Sequence, residues 1–320
     1  MESAAPLLLR PLSIGEILDR AVTLYVRNFA LFTLIILTVS LPMAIVQYAF
    51  AGSQAQSLQA AITILEHPTP PPDAGRPAKP PSPFGEFTAA QIGGLLIVIV
   101  VALVVVPLST NAVAVGVAAL YAGHVPAFGT CYAAVLRRWP SVLGTLIVWV
   151  GIGLAAYLIS VFSLAILVGI GIGVVRASPA LAIIFAALAV LLTLALLAVA
   201  VMAVLAASFS FFAVCIEGQP VGAAIRSGFA RIFARDEARR ALLVGLAYLG
   251  IDFGVVGISA SVGIAVVLLL KNVFLQVALS TIAGALLSAF LTVFVAVYYY
   301  DVRIRREGFD LEADIQRLGA

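Results

Sequence analysis

The fold class is decided by the stretch Leu95-Leu-Ile-Val-Ile-Val-Val-Ala-Leu-Val-Val-Val106, which is apolar on every face. A strand of an outer-membrane barrel alternates apolar and polar side chains, and this stretch does not. A helix satisfies its backbone hydrogen bonds within one segment, as a chain in hydrocarbon requires. We therefore predict that this stretch belongs to a transmembrane helix.

Similar apolar stretches recur along the chain and predict six transmembrane helices. The chain is 63% hydrophobic and 10% charged, whereas soluble domains are roughly 45–50% apolar and about 25% charged. A bilayer core needs about 20 apolar residues per helix. The fold class is therefore an all-α integral membrane protein with a single membrane domain over residues 1–320. The predicted spans are Phe29–Ala51, Ile92–Tyr121, Val142–Val174, Leu181–Ile216, Ala241–Leu270 and Val273–Tyr299.

Most of the 18 Lys and Arg residues lie before the first span, after the sixth, and in the even-numbered connections. Because basic loops stay in the cytoplasm, we predict a multi-pass bacterial inner-membrane protein with both termini cytoplasmic. The first thirty residues lack a signal peptide's short apolar core and cleavage site, so we expect the first span to be retained. The net charge of +3 suits anionic lipid headgroups as partners. The arginines border the spans instead of forming a basic domain, so no nucleic-acid partner is predicted.

A segment of similar pattern precedes each odd-numbered span. Each begins with Pro, reaches a Gly within a few residues and continues as a short amphipathic helix that carries Arg. We predict interfacial helices over residues 13–28, 126–140 and 219–238. Each leads into two spans, so the sequence predicts three parallel repeats, unlike the inverted repeats of many secondary transporters.

The first interfacial helix has the clearest pattern. Ser13 and Glu16 have the spacing of a capping box, in which each side chain accepts a hydrogen bond from the other residue's backbone N–H. Apolar residues from Ile14 to Tyr25 then recur along one helical face. The helix lies in the headgroup region or packs under the bundle, and these two interpretations are compatible.

Residues 52–88 are predicted to form a loop on the exterior side. Proline is concentrated in this loop, at His67–Pro72 and Pro77–Pro83. Such dense proline favours extended, solvated chain.

The sequence contains no pattern that indicates an enzyme or a cofactor. His67 and His124 fall on opposite sides of the membrane in the predicted topology, so they do not share a metal site. No Gly-x-Ser-x-Gly nucleophile motif accompanies His124. Cys131 and Cys215 fall near the cytoplasmic side and are interpreted as small apolar residues without a disulfide. We therefore predict a non-enzymatic protein without a cofactor.

Asp252 is the one formally charged residue deep inside a predicted span. A carboxylate in that position is costly and often functional. Tyr248 and Ser259 share its helical face, and Asn111 and Gln276 in other spans are candidate partners. Two interpretations remain open: a hydrogen-bonded aspartate that orders the bundle, or a residue that couples or binds a transported solute.

Small residues form a stripe on roughly the opposite face of the same span. The stripe is typical of close packing between membrane helices. Its members are Gly250, Gly254, Gly257 and Ser261.

Both ends of the chain resemble one family of bacterial membrane proteins. The opening Leu12-Ser-Ile-Gly-Glu-Ile-Leu-Asp-Arg20 is similar to the start of the glycerophosphoryl diester phosphodiesterase membrane-domain family. The stretch Tyr298-Tyr-Tyr-Asp-Val-Arg-Ile-Arg-Arg-Glu-Gly-Phe-Asp310 is similar to its closing signature. The resemblance implies a polytopic membrane domain. It does not imply phosphodiesterase activity, which belongs to a separate barrel of roughly 250 residues.

Residues 301–320 are predicted to be a cytoplasmic tail that docks on the interfacial helices. Tyr298–Tyr300 precede it and are interpreted as an aromatic belt at the membrane interface. Asp301 and Arg305 have the i,i+4 spacing of a helical ion pair. Membrane anchoring and recognition of a specific lipid or partner both remain open as the role of the tail. The predicted docking residues are Glu16, Asp19, Arg303, Arg305 and Arg306.

Two functions are therefore weighed. The first is a scaffold or accessory subunit in envelope or lipid-related processes, with a membrane protein as partner. The alternative is a small-solute or lipid transporter that uses Asp252, spans kinked at Pro42 and Pro107, and the internal repeats. A cavity that reaches Asp252 favours transport, whereas a solid bundle favours a scaffold.

Overall fold

The computed structural model describes residues 10–45, 89–175, 179–270 and 272–307, and all regular secondary structure in them is helical. This confirms the all-α fold class. The predicted exterior loop and residues 308–320 of the predicted tail lie outside the described residues.

The described helices follow a recurring order of one short helix and two long ones. In chain order they are α1 (Ile14–Arg27), α2 (Phe29–Ile45), α3 (Ala89–Tyr121), α4 (Phe128–Arg137), α5 (Trp139–Val175), α6 (Pro179–Phe212), α7 (Val221–Ile232), α8 (Ala238–Leu270) and α9 (Val273–Glu307). A π-helical turn, Ala213–Glu217, continues α6. The short helices α1, α4 and α7 fall within the three ranges predicted for interfacial helices.

Several of these helices have the length and composition of membrane spans. Five of those described, α3, α5, α6, α8 and α9, are long and apolar enough to cross a membrane. α1 and α2 meet at a bend of 82°, and together they count as a sixth candidate. At about 1.5 Å per residue, the 33 residues of α8 extend ~50 Å, beyond a hydrocarbon core of about 30 Å.

Local signals set where helices begin and turn. Ser13 Oγ accepts from the Glu16 N–H, and the Glu16 carboxylate accepts from the Ser13 N–H, which confirms the predicted capping box. The π-helical turn ends at Gly218, whose φ of 75° lies in the left-handed region that favours glycine. The Gly218 carbonyl accepts from Arg138 Nη1 at 3.0 Å, so this turn is tied to the start of α5.

The tightest packing lies at one end of the bundle, which we call the collar end. There α1 packs on α9, α4 on α3 and α7 on α6. Phe209 and Tyr298 are fully buried in the core of this end. Farther along the long helices, Phe162, Leu191 and Ile258 are exposed, as expected for side chains that face lipid.

The predicted packing of α8 through its small-residue stripe is wrong. A Cβ added at Gly250, Gly254 or Gly257 would meet no described atom within 4 Å, and Ser261 is exposed. The close contact of α8 with α6 lies at Gly245 instead, against Val201 and Leu205. The stripe therefore faces away from the described helices, and all four of its residues are exposed.

Candidate functional site

Charged side chains and two tyrosines meet at the collar end and form what we call the polar collar. It joins the last turns of α9 to α1, α6, α7 and α8. Its members are Glu217, Arg231, Glu237, Arg240, Tyr298, Tyr299, Asp301, Arg303, Arg305 and Glu307.

One half of the polar collar is centred on Arg231 of α7, which is buried. Its guanidinium donates to Glu217 Oε2 at 3.1 Å, to Glu307 Oε1 at 2.8 Å and to Tyr299 Oη at 3.1 Å. Arg303 Nε lies 2.9 Å from Glu307 Oε2 and 3.4 Å from Glu217 Oε1. Two arginines therefore share two carboxylates, and the charges balance within this half.

The other half is centred on Asp301, whose side chain is fully buried. Asp301 Oδ1 accepts from the Leu12 N–H at 2.6 Å, and Oδ2 lies 2.6 Å from Arg240 Nη1 and 3.1 Å from Arg305 Nε. The pairing with Arg305 confirms the predicted i,i+4 ion pair. Both arginines also donate to the Leu12 carbonyl at 2.6 Å. This half ties the segment before α1 to a position 289 residues away.

Burial acts differently on two ionisable groups of the polar collar. Burial alone would lower the pKa of Arg231, but the hydrogen bond and charge of Glu217, with the charge of Glu307, raise that pKa above its ordinary value. Burial raises the pKa of Glu237, and the Arg240 charge and the Tyr298 hydrogen bond offset only part of this effect. Arg231 therefore stays charged, whereas burial disfavours the ionised form of Glu237.

Two sequence predictions about this region need correction. Tyr298–Tyr300 are not an interfacial belt, because all three side chains are buried and the first two donate to Glu237 and Glu217. The α9 arginines do reach the chain near α1, yet their carboxylate partners are not Glu16 and Asp19. Glu16 instead pairs with Arg10 and caps α1, Asp19 is exposed, and Arg306 donates to the Ala230 carbonyl at 2.7 Å.

A second polar region lies deeper in the bundle, between α3, α6, α8 and α9. These helices line a partly open cavity of about 360 Å³. Ligand sites commonly have cavities of about 300–1,000 Å³. Its polar lining residues are Thr110, Asn111, Ser208, Tyr248, Asp252, Ser288 and Thr292.

The cavity is closed toward the polar collar and open at its far end. Phe212, Leu291 and Val295 line the inner part and are buried. Val106 and Val256 line the outer part and are 43% and 51% exposed. Access therefore comes from the far half of the bundle.

Most hydrogen-bond donors of the lining are used by the helix that carries them. Ser208 Oγ donates to the Val204 carbonyl at 3.0 Å, and Thr292 Oγ1 donates to the Ser288 carbonyl at 2.7 Å. Thr110 Oγ1 likewise donates to carbonyls one turn back. The lone pairs of these hydroxyl oxygens remain available to a ligand.

Asn111 presents the least satisfied group of the lining. Its side chain is buried, and Nδ2 donates to the Pro107 carbonyl at 2.7 Å. Its Oδ1 has no hydrogen-bond partner among the described residues. A flipped amide would place Oδ1 against the Pro107 carbonyl oxygen, so the donor bond fixes the orientation. A buried, unpaired acceptor costs about 1–3 kcal/mol, which marks the position as unusual.

The structure brings together part of the predicted intramembrane site. Tyr248, Asp252 and Asn111 line the cavity, whereas Ser259 and Gln276 are not among its lining residues. Gln276 lies near the start of α9, where its Cγ would be 3.3 Å from a Cβ at Gly263 near the end of α8. Ser259 is nearly two turns farther along α8 than Asp252, beyond the open end.

Four lining residues were not predicted from the sequence: Thr110, Ser208, Ser288 and Thr292. Each is a small hydroxyl residue within an apolar span, and such residues commonly bond to their own backbone without further role. Their clustering depends on which faces of three helices meet. The sequence therefore shows that polar residues occur in these spans, but it does not show that they line one cavity.

Comparison of the chain with protein-family models, curated proteins and solved structures finds no match in any of the three. The resemblance at the two ends of the chain stays a prediction.

Proposed function

We propose that this protein is a transporter of a small solute or a lipid, with Asp252 as an intramembrane binding or coupling residue. The observation that carries this proposal is the cavity that reaches Asp252 between α3, α6, α8 and α9. A solid bundle around Asp252 would have favoured a purely structural role.

The depth of the cavity supports this function. Asp252 is fourteen residues into α8, so it lies ~21 Å along a helix that rises about 1.5 Å per residue. A carboxylate at such depth is costly in hydrocarbon, and those that occur usually face a polar cavity or pathway. The open far end gives a polar ligand a route to this carboxylate.

The proposed architecture is three parallel repeats in a bacterial inner membrane. The order of one short and two long helices, which occurs three times, supports the repeats. In this arrangement the collar end and both termini face the cytoplasm, and α1, α4 and α7 lie at the membrane interface. Exposed arginines at this end, among them Arg226, Arg235 and Arg239, suit anionic headgroups.

A second candidate is a non-enzymatic scaffold or accessory subunit that binds another membrane protein. The polar collar favours this function, because it rigidly joins elements from both ends of the chain. In this case the cavity would hold water or an acyl chain and would not be part of a pathway.

Accessibility of introduced cysteines separates the two candidates. Cys131 and Cys215 are first replaced by Ala, and Ser208→Cys then places a thiol in the cavity on α6. Thr193→Cys is the matched control, since Thr193 is exposed on the lipid side of the same helix. A hydrophilic, membrane-impermeant thiol reagent is applied to either face of oriented vesicles.

Transport predicts that Ser208→Cys reacts from both faces, because alternating access opens the cavity to each side in turn. Thr193→Cys should not react from either face. Reaction of Ser208→Cys from one face only, or from neither, would contradict transport and leave the scaffold as the better explanation.

A further inference from the structure

We infer that the cavity selects a monovalent cation that carries N–H donors, with a primary ammonium group as the simplest case. This inference rests on the proposed function, because it assumes that the cavity holds a ligand. Its basis is the unequal supply of donors and acceptors on the cavity wall.

The wall offers acceptors in excess. The hydroxyl donors of Thr110, Ser208 and Thr292 are used by backbone carbonyls, and the Asn111 donor is used by Pro107. What remains toward a ligand is the Asp252 carboxylate and the lone pairs of these hydroxyl oxygens, together with the hydroxyls of Tyr248 and Ser288, which can donate or accept. The carboxylate accepts only, and every hydroxyl oxygen of the wall can accept, so a ligand with N–H donors complements it.

The charge of the lining points the same way. Of the described residues that line the cavity, Asp252 is the one carboxylate and none is Lys, Arg or His. An anionic ligand would meet a like charge with no cation to offset it. A single carboxylate also falls short of the several oxygen ligands, usually including more than one charge, that Ca²⁺ takes.

Aromatic side chains add a third feature. Phe211, Phe212 and Tyr248 line the cavity beside the acceptors. Aromatic faces attract ammonium groups, and the attraction is stronger where water is excluded. The exposed Val106 and Val256 at the open end suit an apolar body attached to the ammonium group.

The test uses the full chain in micelles and three probes of similar size: butylammonium, butyrate and butanol. Binding is measured by titration calorimetry and by the shift of the unfolding temperature. Asp252→Asn removes the charge in the cavity, and Asp236→Asn is the control because Asp236 is exposed near the start of α8.

We expect butylammonium alone to bind, and Asp252→Asn to weaken that binding by about tenfold or more, as loss of a charge-assisted hydrogen bond does. Asp236→Asn should bind as the unsubstituted protein does. Equal binding of butyrate or butanol, or unchanged binding by Asp252→Asn, would overturn the inference. If no ammonium probe binds while Ser208→Cys still reacts from both faces, cation selection is wrong and transport stands.

The source of the ammonium group is tested in nanodiscs. Phosphatidylethanolamine carries N–H donors, whereas the quaternary headgroup of phosphatidylcholine carries none. Competition with butylammonium by the first lipid alone would support a lipid ligand. Equal butylammonium affinity in both lipids would support a free amine, and competition by phosphatidylcholine alone would contradict the need for N–H donors.

Discussion

The polar collar and the cavity are both polar regions inside an apolar bundle, but they differ in how their hydrogen-bonding groups are satisfied. In the collar each carboxylate meets at least one arginine, and the tyrosine hydroxyls of Tyr298 and Tyr299 donate to carboxylates as well. In the cavity Asn111 Oδ1 has no described partner and Asp252 lines open space. Carboxylates that are each paired with an arginine fix a structure, whereas a carboxylate that lines open space is available to a ligand.

The difference also shows how one helix serves two purposes. The end of α9 supplies Asp301 and Arg303 to the collar, and the same helix supplies Ser288 and Thr292 to the cavity. The collar holds α9 in place by ties to α1 and α7. We therefore expect substitutions in the collar to affect stability and substitutions in the cavity to affect binding.

The largest effect is expected from Asp301→Asn. It leaves Arg240 and Arg305 without the buried carboxylate that both contact. Removing one partner of a buried ion pair typically costs about 3–5 kcal/mol. Unfolding of purified protein in micelles measures this loss.

Asp19→Asn is the control for this prediction, because Asp19 is exposed on α1. It should change stability by less than about 0.5 kcal/mol. An equal, small effect of both substitutions would show that the collar does not stabilise the bundle.

A smaller loss is expected from Gly228→Ala in α7. The added Cβ would lie 2.5 Å from the Ala206 carbonyl oxygen and would also clash with Ser210. Overpacking of this kind costs about 1–3 kcal/mol. Gly222→Ala in the same helix meets no described atom within 4 Å and should stabilise by up to about 1 kcal/mol. A loss of stability in both variants would mean that α7 itself tolerates alanine poorly, and that the contact with α6 is not the cause.

A gain of stability is expected from Asn111→Leu. Leu has a similar size and removes the unpaired Oδ1, so the free energy of unfolding should rise by about 1 kcal/mol. Asn272→Leu provides the contrast, because Asn272 Oδ1 accepts from the Leu275 N–H at 3.0 Å. That variant should lose about 1 kcal/mol with its helix cap. A loss of stability in Asn111→Leu would indicate that Oδ1 has a structural partner such as water.

The smallest effect is a pH dependence that Glu237→Gln should remove. Because burial raises the pKa of Glu237, its ionised form destabilises the folded protein. Neutral Glu237 therefore contributes its full share to the free energy of unfolding below 4.5, its pKa in the unfolded chain. This contribution is lost as pH rises through the higher pKa of Glu237 in the folded protein. The groups that face it are Arg240, Tyr298, Asp301 and Arg305.

Unfolding curves between about pH 4 and pH 8 measure this effect. Relative to the unsubstituted protein, Glu237→Gln should gain stability as pH rises. A relative loss over that range would mean that the attraction of Arg240 outweighs burial at this position.

The sequence predicted much of the fold because its signals are local. Apolar length marks the spans, and the Ser13–Glu16 spacing predicts the helix start that the structure contains. It also singled out Asp252, since a charge within a span stands out from its neighbours. The interface prediction for Tyr298–Tyr300 is wrong because aromatic residues beside arginines are typical both of a membrane interface and of a buried ion-pair network.

What the chain determines by itself is therefore the helical class, the order of short and long helices, and the presence of a carboxylate within a span. The tertiary structure alone decides which charges are neutralised and which acceptors remain open. The Leu12 N–H meets Asp301 across 289 residues, and Asn111 and Asp252 line one cavity from different helices. Hydrogen-bond satisfaction is a property of contacts between distant segments, so no local pattern encodes it.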